Sequence, residues 1–299
     1  MLITIRQIEI FLTIVKEKSI AAASEKLHLS KPAISMALNE LETRLGHQLF
    51  DRVKNRLIIN YYGQQALSKA DELYHRTLEI EQLFDTQSIT DKQLLGKLTI
   101  GASNTIGNYL IPKYLSIFRQ NTGHKTQNLI IDNTDNICQK VADYQLDIGV
   151  IEGYTENEDL LYDFWREDEM CIIAANSHPL TQKKSITINE LENSNWILRE
   201  EGSGSKLQFI QLIASQLKKW HTSIELPTTQ SIINAVENNL GLAFVSKLSI
   251  THAIAAKQIK MLNISDQLEK FKRKLWIITH IEKYHNPLVA EFIKTIKIN

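Results

Sequence analysis

The sequence predicts an α/β protein in which a small, all-α-dominated N-terminal region precedes a larger C-terminal region. Apolar residues recur with helical spacing through residues 5–45. A short basic hairpin pattern and one long helical pattern follow. After Gly96, short apolar strands alternate with helices. This alternation is typical of a sheet with much parallel pairing that helices cover.

Length, charge and cysteine content limit the classes of protein. The 299 residues are enough for two domains and a connector. Nine of the 34 Lys and Arg but six of the 34 Asp and Glu lie in residues 1–60, so this end carries +3 and the remainder −3. A basic end permits phosphate contacts. The two cysteines lack CxxC spacing, and neither a signal peptide nor a membrane span is predicted. We therefore expect a cytoplasmic protein.

Three short helices are predicted within the first 45 residues. Residues 5–18 form the first, and Ser19 caps the second. Ser30 caps the third, with Pro32 in its first turn and Gly46 after its end. From the helical spacing, the third helix is expected to bury Ala33, Ile34, Ala37, Leu38, Leu41 and Leu45.

The second and third helices, joined by a three-residue turn, match the geometry that places a helix in the DNA major groove. Serine hydroxyls and an asparagine amide can bond phosphates or base edges, and cations on the hairpin suit phosphates or the minor groove. For any single residue, a solvated face of a helical bundle explains the pattern equally well, but the combination favours DNA. The predicted DNA contacts are Ser30, Lys31, Pro32, Ser35, Met36, Asn39, Arg52, Lys54 and Arg56.

A long helix is predicted from residue 63 to about 84, and the polar residues 85–93 form a linker. Apolar side chains recur along this helix at intervals of three and four residues. The spacing fits a coiled coil and fits equally a helix packed on its own domain. The positions of this heptad-like series are Ala66, Ala70, Leu73, Thr77, Ile80 and Phe84.

A pattern of framework positions covers about the first 65 residues. It comprises Phe11–Val15, Ser19–Ser30, Pro32–Ser35, Leu41–Glu42, Leu45–Gly46, Leu49–Phe50 and Arg52. This pattern resembles the N-terminal signature of LysR-type transcriptional regulators. The resemblance implies a winged helix-turn-helix, a dimerising linker helix and a two-lobed effector domain like a periplasmic binding protein. A homodimer or homotetramer would then present two recognition helices to an inverted-repeat operator in double-stranded DNA.

The chain departs from the family pattern at a few positions. Lys31 stands where Gln is common, and Met36 stands where Arg is frequent. Residues 60–63 replace the usual Thr-x-x-Gly, although Asn60 can still cap the linker helix. The expected fold is unaffected, but the operator sequence does not follow from the family.

The resemblance also implies a division of the chain. Residues 1–62 form the DNA-binding domain, 63–93 the linker helix and hinge, and 94–299 the effector domain. Within the effector domain, lobe I spans about 94–163 and 269–299, and lobe II spans about 164–268. A small-molecule effector would lie between the lobes, where strands end and helix N-termini offer free N–H groups.

Small polar residues and glycines follow three strands at the expected cleft. They fit an effector site, although ordinary helix caps and turns would use the same residue types. The combination of motifs is similar to the branch of the family that regulates sulfur assimilation and carbon-dioxide fixation, which suggests a small anion or a metabolite carrying phosphate or sulfonate. The candidate effector residues are Ser103, Asn104, Thr105, Asn133, Thr134, Gly202, Ser203 and Gly204.

An enzyme or a transport-type binding protein is the alternative for the same α/β domain. Residues 202–205 form neither a P-loop nor a G-x-S-x-G elbow. His280 and His285 are five residues apart, which is not the spacing of paired ligands on a helix. We therefore expect no catalytic residues, no metal ligands and no cofactor.

Overall fold

The computed structural model describes residues 2–53, 56–82, 94, 96–265, 271–283 and 287–298. Three helices open the chain: α1 (Ile5–Glu17), α2 (Ile20–Leu27) and α3 (Lys31–Leu45). The side chains of Thr4, Ser19 and Ser30 cap them by accepting backbone N–H bonds. All three predicted helices are confirmed.

The N-terminal domain is built around one apolar cluster. Ile14, Ile34 and Leu38 are fully or almost fully buried in it, and each such side chain contributes roughly 1.5–3 kcal/mol by leaving water. The expected buried face of α3 is partly wrong. Ala33 and Leu45 lie in the first and last turns of the helix, outside the apolar cluster, and are exposed.

The wing and the long helix follow. Strands β1 (Phe50–Val53) and β2 (Arg56–Ile59) pair antiparallel. Helix α4 (Tyr61–Gln82) begins two residues before its expected start, because the Asn60 side chain accepts the Gly63 N–H at 3.0 Å.

Helix α4 uses two of its faces differently. Leu67 and Ala70 are buried in the N-terminal core, so the helix packs on its own domain. Leu73 and Ile80 of the heptad-like series are 47% and 59% exposed, and they remain available to a partner helix. Phe84 and the linker 85–93 lie outside the described residues.

The first lobe of the C-terminal domain, lobe I, contains a mixed sheet with the strand order β4-β3-β5-β11-β6. Strand β3 runs parallel to β4 and β5, whereas β11 runs antiparallel to β5 and β6. The parallel pairing expected from the sequence therefore describes only part of this sheet. The elements are β3 (Leu98–Ser103), α5 (Asn104–Tyr109), α6 (Ile111–Thr122), β4 (Gln127–Asp132), α7 (Thr134–Ala142), β5 (Ile148–Glu152), β6 (Leu160–Ala175), β11 (Lys272–His280) and α11 (Pro287–Ile298).

Lobe II begins in the second half of β6, which pairs antiparallel with β9 and β10, while β7 pairs parallel with β8. The helix expected over residues 206–219 ends earlier, and a separate turn of 3₁₀ helix at Ala214–Gln216 follows it. The elements are β7 (Asn195–Arg199), α8 (Gly204–Leu212), β8 (His221–Leu226), α9 (Thr229–Glu237), β9 (Ala243–Ser246), α10 (Lys247–Ala255) and β10 (Ile259–Met261).

Each lobe has its own core. Tyr114, Phe118 and Phe292 fill the centre of lobe I. Trp196 and Phe209 fill that of lobe II. Strand β6 runs from one lobe into the other, because Leu160 packs in a cluster of lobe I and Met170 and Ile172 pack in the core of lobe II. The candidate effector residues therefore lie where two separately packed units meet.

Candidate DNA interface and effector site

Helix α3 presents a polar face away from the N-terminal core. Ile34, Leu38 and Leu41 fix one side of the helix in that core. The Ser30 hydroxyl accepts the Ala33 N–H at 3.3 Å and so fixes where the helix begins. Gly46 ends it with a φ of +76°, a backbone conformation that favours glycine.

The outward face matches the sequence prediction. Pro32, Met36 and Asn39 are exposed, and Ser35 is half-buried. Met36 is 65% exposed although it is apolar, and a thymine methyl group is a partner of suitable chemistry. Pro32, Ser35, Met36, Asn39, Glu40, Thr43 and Arg44 line one shallow, open groove on this face.

The cations expected to contact DNA are only partly described. Lys31 and Arg52 are exposed, the first at the start of α3 and the second on β1. Arg52 pairs across the hairpin with Leu57 in the backbone register. Lys54 lies outside the described residues, and Arg56 is described only as backbone of β2.

The eight candidate effector residues lie along one seam between the lobes. Asn104 Oδ1 is 3.4 Å from both the N and Oγ1 of Thr229 in lobe II. The Asn133 side chain donates to the Glu201 carbonyl at 3.4 Å. The Thr134 hydroxyl donates to the Glu152 carbonyl at 3.1 Å. The structure therefore brings these three separate stretches of sequence together.

Ser103 has an unused hydroxyl at the seam. It ends β3, is 1% exposed, and its Oγ has no hydrogen-bond partner among the described residues. The side chain does not cap α5, although the residue occupies the N-cap position. Because an unpaired buried polar group is costly, this hydroxyl would gain a hydrogen bond to an acceptor that binds at the seam.

A buried ion cluster lies directly behind the candidate residues, and sequence reasoning missed it. Arg273 donates to Glu152 at 2.8 Å and to Asp168 at 2.8 Å. It also donates to Ser205 of lobe II at 3.0 Å and to Thr105 of lobe I at 3.2 Å. One guanidinium thus joins both lobes.

Glu152 is the acceptor at the centre of this cluster. Its carboxylate accepts the Thr105 N–H at 2.9 Å and the Ser205 hydroxyl at 3.2 Å. Burial by itself raises its pKa, but Arg273 and Thr105 outweigh burial and hold the pKa below its usual range. Glu152 therefore stays charged and occupies donors that an anion would otherwise use.

A signal for this cluster exists in the sequence. Arg273 alternates with Lys272 and Lys274 and shares the strand face of Leu275. A charged residue on the apolar face of a strand predicts a buried ion pair. The partners at positions 152 and 168 are more than 100 residues away and could not be assigned from the pattern.

Two glycines allow the lobes to approach. A Cβ on Gly204 would lie 2.4 Å from the Glu152 carbonyl oxygen. Gly202 has a φ of +77°, and its carbonyl accepts the Asp135 N–H at 3.2 Å. Gly204 is therefore required for backbone-to-backbone contact across the seam.

The outer end of the seam is an acidic cavity of about 180 Å³. Asp135, Glu201 and Tyr154 line it. Lys206 also lines it, but two carboxylates, of Glu201 at 2.5 Å and Glu225 at 2.6 Å, already pair with this lysine. Partial burial and Glu201 raise the pKa of Asp135. This end is unfavourable for an anion.

Two kinds of feature are absent from the described part of the chain. No group of three or more His, Cys, Asp or Glu side chains there could hold a metal ion. No helix there is both long and apolar enough to cross a membrane.

Comparisons with known proteins agree with this architecture. Residues 5–64 match the family described as "Bacterial regulatory helix-turn-helix protein, lysR family", and residues 91–298 match "LysR substrate binding domain". A solved structure of a full-length OxyR variant from Pseudomonas aeruginosa superposes with a TM-score of 0.77 at 21% identity, covering 100% of this chain and 96% of that one.

Three curated relatives span nearly the whole chain. The uncharacterized HTH-type transcriptional regulator YeiE of Escherichia coli K12 is 35% identical, covering 97% of this chain and 96% of the relative. CysL of Bacillus subtilis is 30% identical (97% and 95% covered), and a probable RuBisCO transcriptional regulator of Trieres chinensis is 31% identical (97% and 94% covered). The last two fall in the branch that the sequence motifs indicated. The chain belongs to the LysR family and is a DNA-binding transcriptional regulator with a small-molecule effector domain.

Proposed function

We propose that this regulator reads an inverted-repeat operator as a homodimer or homotetramer and is controlled by a small anion, or by a metabolite carrying phosphate or sulfonate. It would act in the cytoplasm, as expected of a DNA-binding regulator, and without catalysis. The domain limits at residues 62, 93 and 163 and at about 269 are part of this proposal. The DNA contacts are Ser30, Lys31, Pro32, Ser35, Met36, Asn39, Arg52, Lys54 and Arg56.

The effector site that we propose lies at the interlobe seam. The observation that carries it is the Ser103 hydroxyl, which is buried where the lobes meet and has no hydrogen-bond partner in the part of the chain that the structure describes. Hydroxyl groups of Thr105, Ser203 and Thr229 lie on the same seam and are buried. A site of hydroxyls can hold an anion without a free cation, since each O–H donates one bond. Asn104, Asn133, Thr134, Gly202 and Gly204 complete the proposed site.

The acidic outer cavity restricts the orientation of the effector. Asp135 and Glu201 repel a second negative charge at that end. We therefore expect the anionic group to lie at Ser103, and any part that reaches Tyr154 to be neutral or cationic.

A ligand screen tests the effector site. Sulfate, sulfite, phosphate and phosphorylated three-carbon acids are added singly to the full-length protein, and thermal unfolding is followed. A binder should raise the Tm of the wild type and of the matched control Ser185→Ala/Thr251→Ala, whose residues are exposed in lobe II. Ser103→Ala should lose the shift, and its ligand-free Tm should not fall, because the hydroxyl has no partner among the described residues to lose and its unpaired burial is costly.

The double variant Ser103→Ala/Thr105→Ala should lose the effector response in a gel shift on DNA upstream of the gene, and should retain binding to that DNA. A normal effector response in this variant would show that neither Ser103 nor Thr105 belongs to the effector site. Failure of the wild type to prefer that DNA over unrelated duplex would overturn the proposed DNA contacts.

A further inference from the structure

Helix α7 connects the interlobe seam with the DNA-binding domain. Its first turn contacts lobe II, because the Asp135 N–H donates to the Gly202 carbonyl and Asn133 donates to the Glu201 carbonyl. Nine residues of helix then cover about 13 Å along the axis. Its buried residues, among them Ile137 and Val141, pack on the lobe I sheet. The helix can therefore move only together with that lobe.

The other end of α7 contacts the N-terminal domain. Asp143, the C-cap residue, accepts from Lys18 Nζ at 2.9 Å. Tyr144 follows with a φ of +59° and packs against the apolar core of the N-terminal domain. A tyrosine in this strained conformation persists only where surrounding contacts hold it. Its contact with the other domain is one of these.

Further polar contacts surround Tyr144. The Ser68 hydroxyl of α4 donates to the Glu282 carbonyl at 2.9 Å. Lys283 pairs with Asp147 at 3.1 Å and lies 5.6 Å from the Tyr144 ring centre. Together with Lys18, Asp143 and Tyr144, these residues form what we call the interdomain joint.

The interdomain joint is incompletely satisfied. Among the described residues, Asp71 Oδ2 and His280 Nε2 are buried there without a hydrogen-bond partner. Asp71 lines a half-open cavity of about 390 Å³ between α4 and lobe I, and the His280 ring is 4.2 Å from that of Tyr144. An interface with unpaired buried groups is weaker than a fully bonded one, so modest forces can open it.

We propose that α7 couples the effector seam to the DNA-binding domain through this interdomain joint, so that a change in lobe closure alters how firmly the domain is docked. This coupling rests on the proposed effector site only for the cause of the change in lobe closure, which is the binding of the effector. Each end of the helix touches a unit that can move relative to lobe I: lobe II at Asn133, and the N-terminal domain at Asp143 and Tyr144. Coupling of this kind requires two arrangements whose balance both sites influence.

Hydrogen exchange of the full-length protein without ligand tests the joint first. Lys18→Glu and Asp143→Lys should each make amides of α2 and of the last turn of α7 exchange roughly threefold faster. The charge swap Lys18→Glu/Asp143→Lys should restore the protection. Tyr144→Ala should have a larger effect than its control Phe164→Ala, which alters an exposed aromatic residue away from the joint.

A change at the seam tests the coupling. Asn133→Ala removes the α7 cap and the contact with Glu201. Introduced alone, it should raise the hydrogen exchange of α2. Introduced into the Lys18→Glu variant, whose joint is already open, it should cause no further rise in α2. Asn121→Ala, an exposed asparagine on α6, is the control. If Asn133→Ala affects only the first turn of α7, or if neither charge reversal affects α2, the inference is wrong. A ligand-induced Tm shift that persists in Ser103→Ala, with the coupling intact, would instead overturn only the effector site.

Discussion

Arg273 and Glu152 share a 2.8 Å ion pair at the boundary between the two lobes, with side chains that are 0% and 2% exposed. Asp168 pairs with the same guanidinium. Buried charges are tolerated when they are paired and bonded, and removal of one partner leaves the others at full desolvation cost. The position of one lobe relative to the other therefore depends on the bonds of one arginine.

Replacement of Arg273 should strongly destabilise the effector domain. Arg273→Met leaves Glu152 and Asp168 buried without their cation, which we expect to cost about 3–5 kcal/mol of unfolding free energy. Arg273→Lys should recover only part of this, because an ammonium cannot bond both carboxylates in the fork geometry. Urea denaturation followed by tryptophan fluorescence measures both. A loss below about 1 kcal/mol in Arg273→Met would contradict the paired cluster.

The arginine of the wing should contribute charge and little sequence preference. Arg52→Ala should weaken binding to operator and unrelated DNA alike and lower the slope of log K against log salt by about 1. Lys125→Ala, an exposed cation in lobe I, is the control and should change neither. Fluorescence anisotropy over a salt series provides the measurement. An unchanged slope for Arg52→Ala would show that Arg52 does not contact the DNA.

Asn39 should instead carry sequence preference. It is exposed in the groove of α3, and an asparagine amide can pair with adenine. Asn39→Ala should cost about 1–3 kcal/mol on the operator and little on unrelated DNA. Competition gel shifts with operator variants measure the difference. Equal losses on both DNAs would indicate a phosphate contact.

Gly204 should tolerate no side chain while the lobes are closed. A Cβ there would lie 2.4 Å from the Glu152 carbonyl oxygen, and backbone cannot yield as a flexible side chain does. Gly204→Ala should cost about 1–3 kcal/mol of stability and raise hydrogen exchange at Thr105. Gln211→Ala, an exposed position on the same helix, is the control. Unchanged exchange at Thr105 would show that the seam is open in solution.

Asp71 should make stability depend on pH. Burial raises its pKa above the ordinary 3.8, although Lys283 and His75 partly oppose the shift. A carboxyl with a raised native pKa binds its proton more tightly when folded, so its contribution to stability grows as pH falls from the raised value toward 3.8. Thermal unfolding from about pH 7 to about pH 4 should show this rise in the wild type relative to Asp71→Asn. Parallel curves would show that Asp71 titrates normally.

Local chemistry explains why the recognition helix and its surroundings could be predicted. Ser30, Pro32 and Gly46 fix the ends of α3, and helical spacing assigns Ile34 and Leu38 to the core, because neighbours within four residues decide these features. The limits of this logic appear at Leu45, which shares the periodicity but is exposed at the last residue of the helix. Periodicity gives the direction of a side chain, and burial depends on whether another element covers it there.

The sequence by itself determined the family, the two-part architecture, the recognition helix and the stretches that form the interlobe seam, since each depends on residues close together in the chain. Only the tertiary structure decided that Arg273 bonds Glu152 and Asp168, that Ser103 has no partner among the described residues, and that Tyr144 reaches the DNA-binding domain. The bonds of Arg273 alone join residues up to 168 positions apart, as between Thr105 and Arg273. Contacts at such separation follow from how strands and lobes pack, which no local pattern encodes.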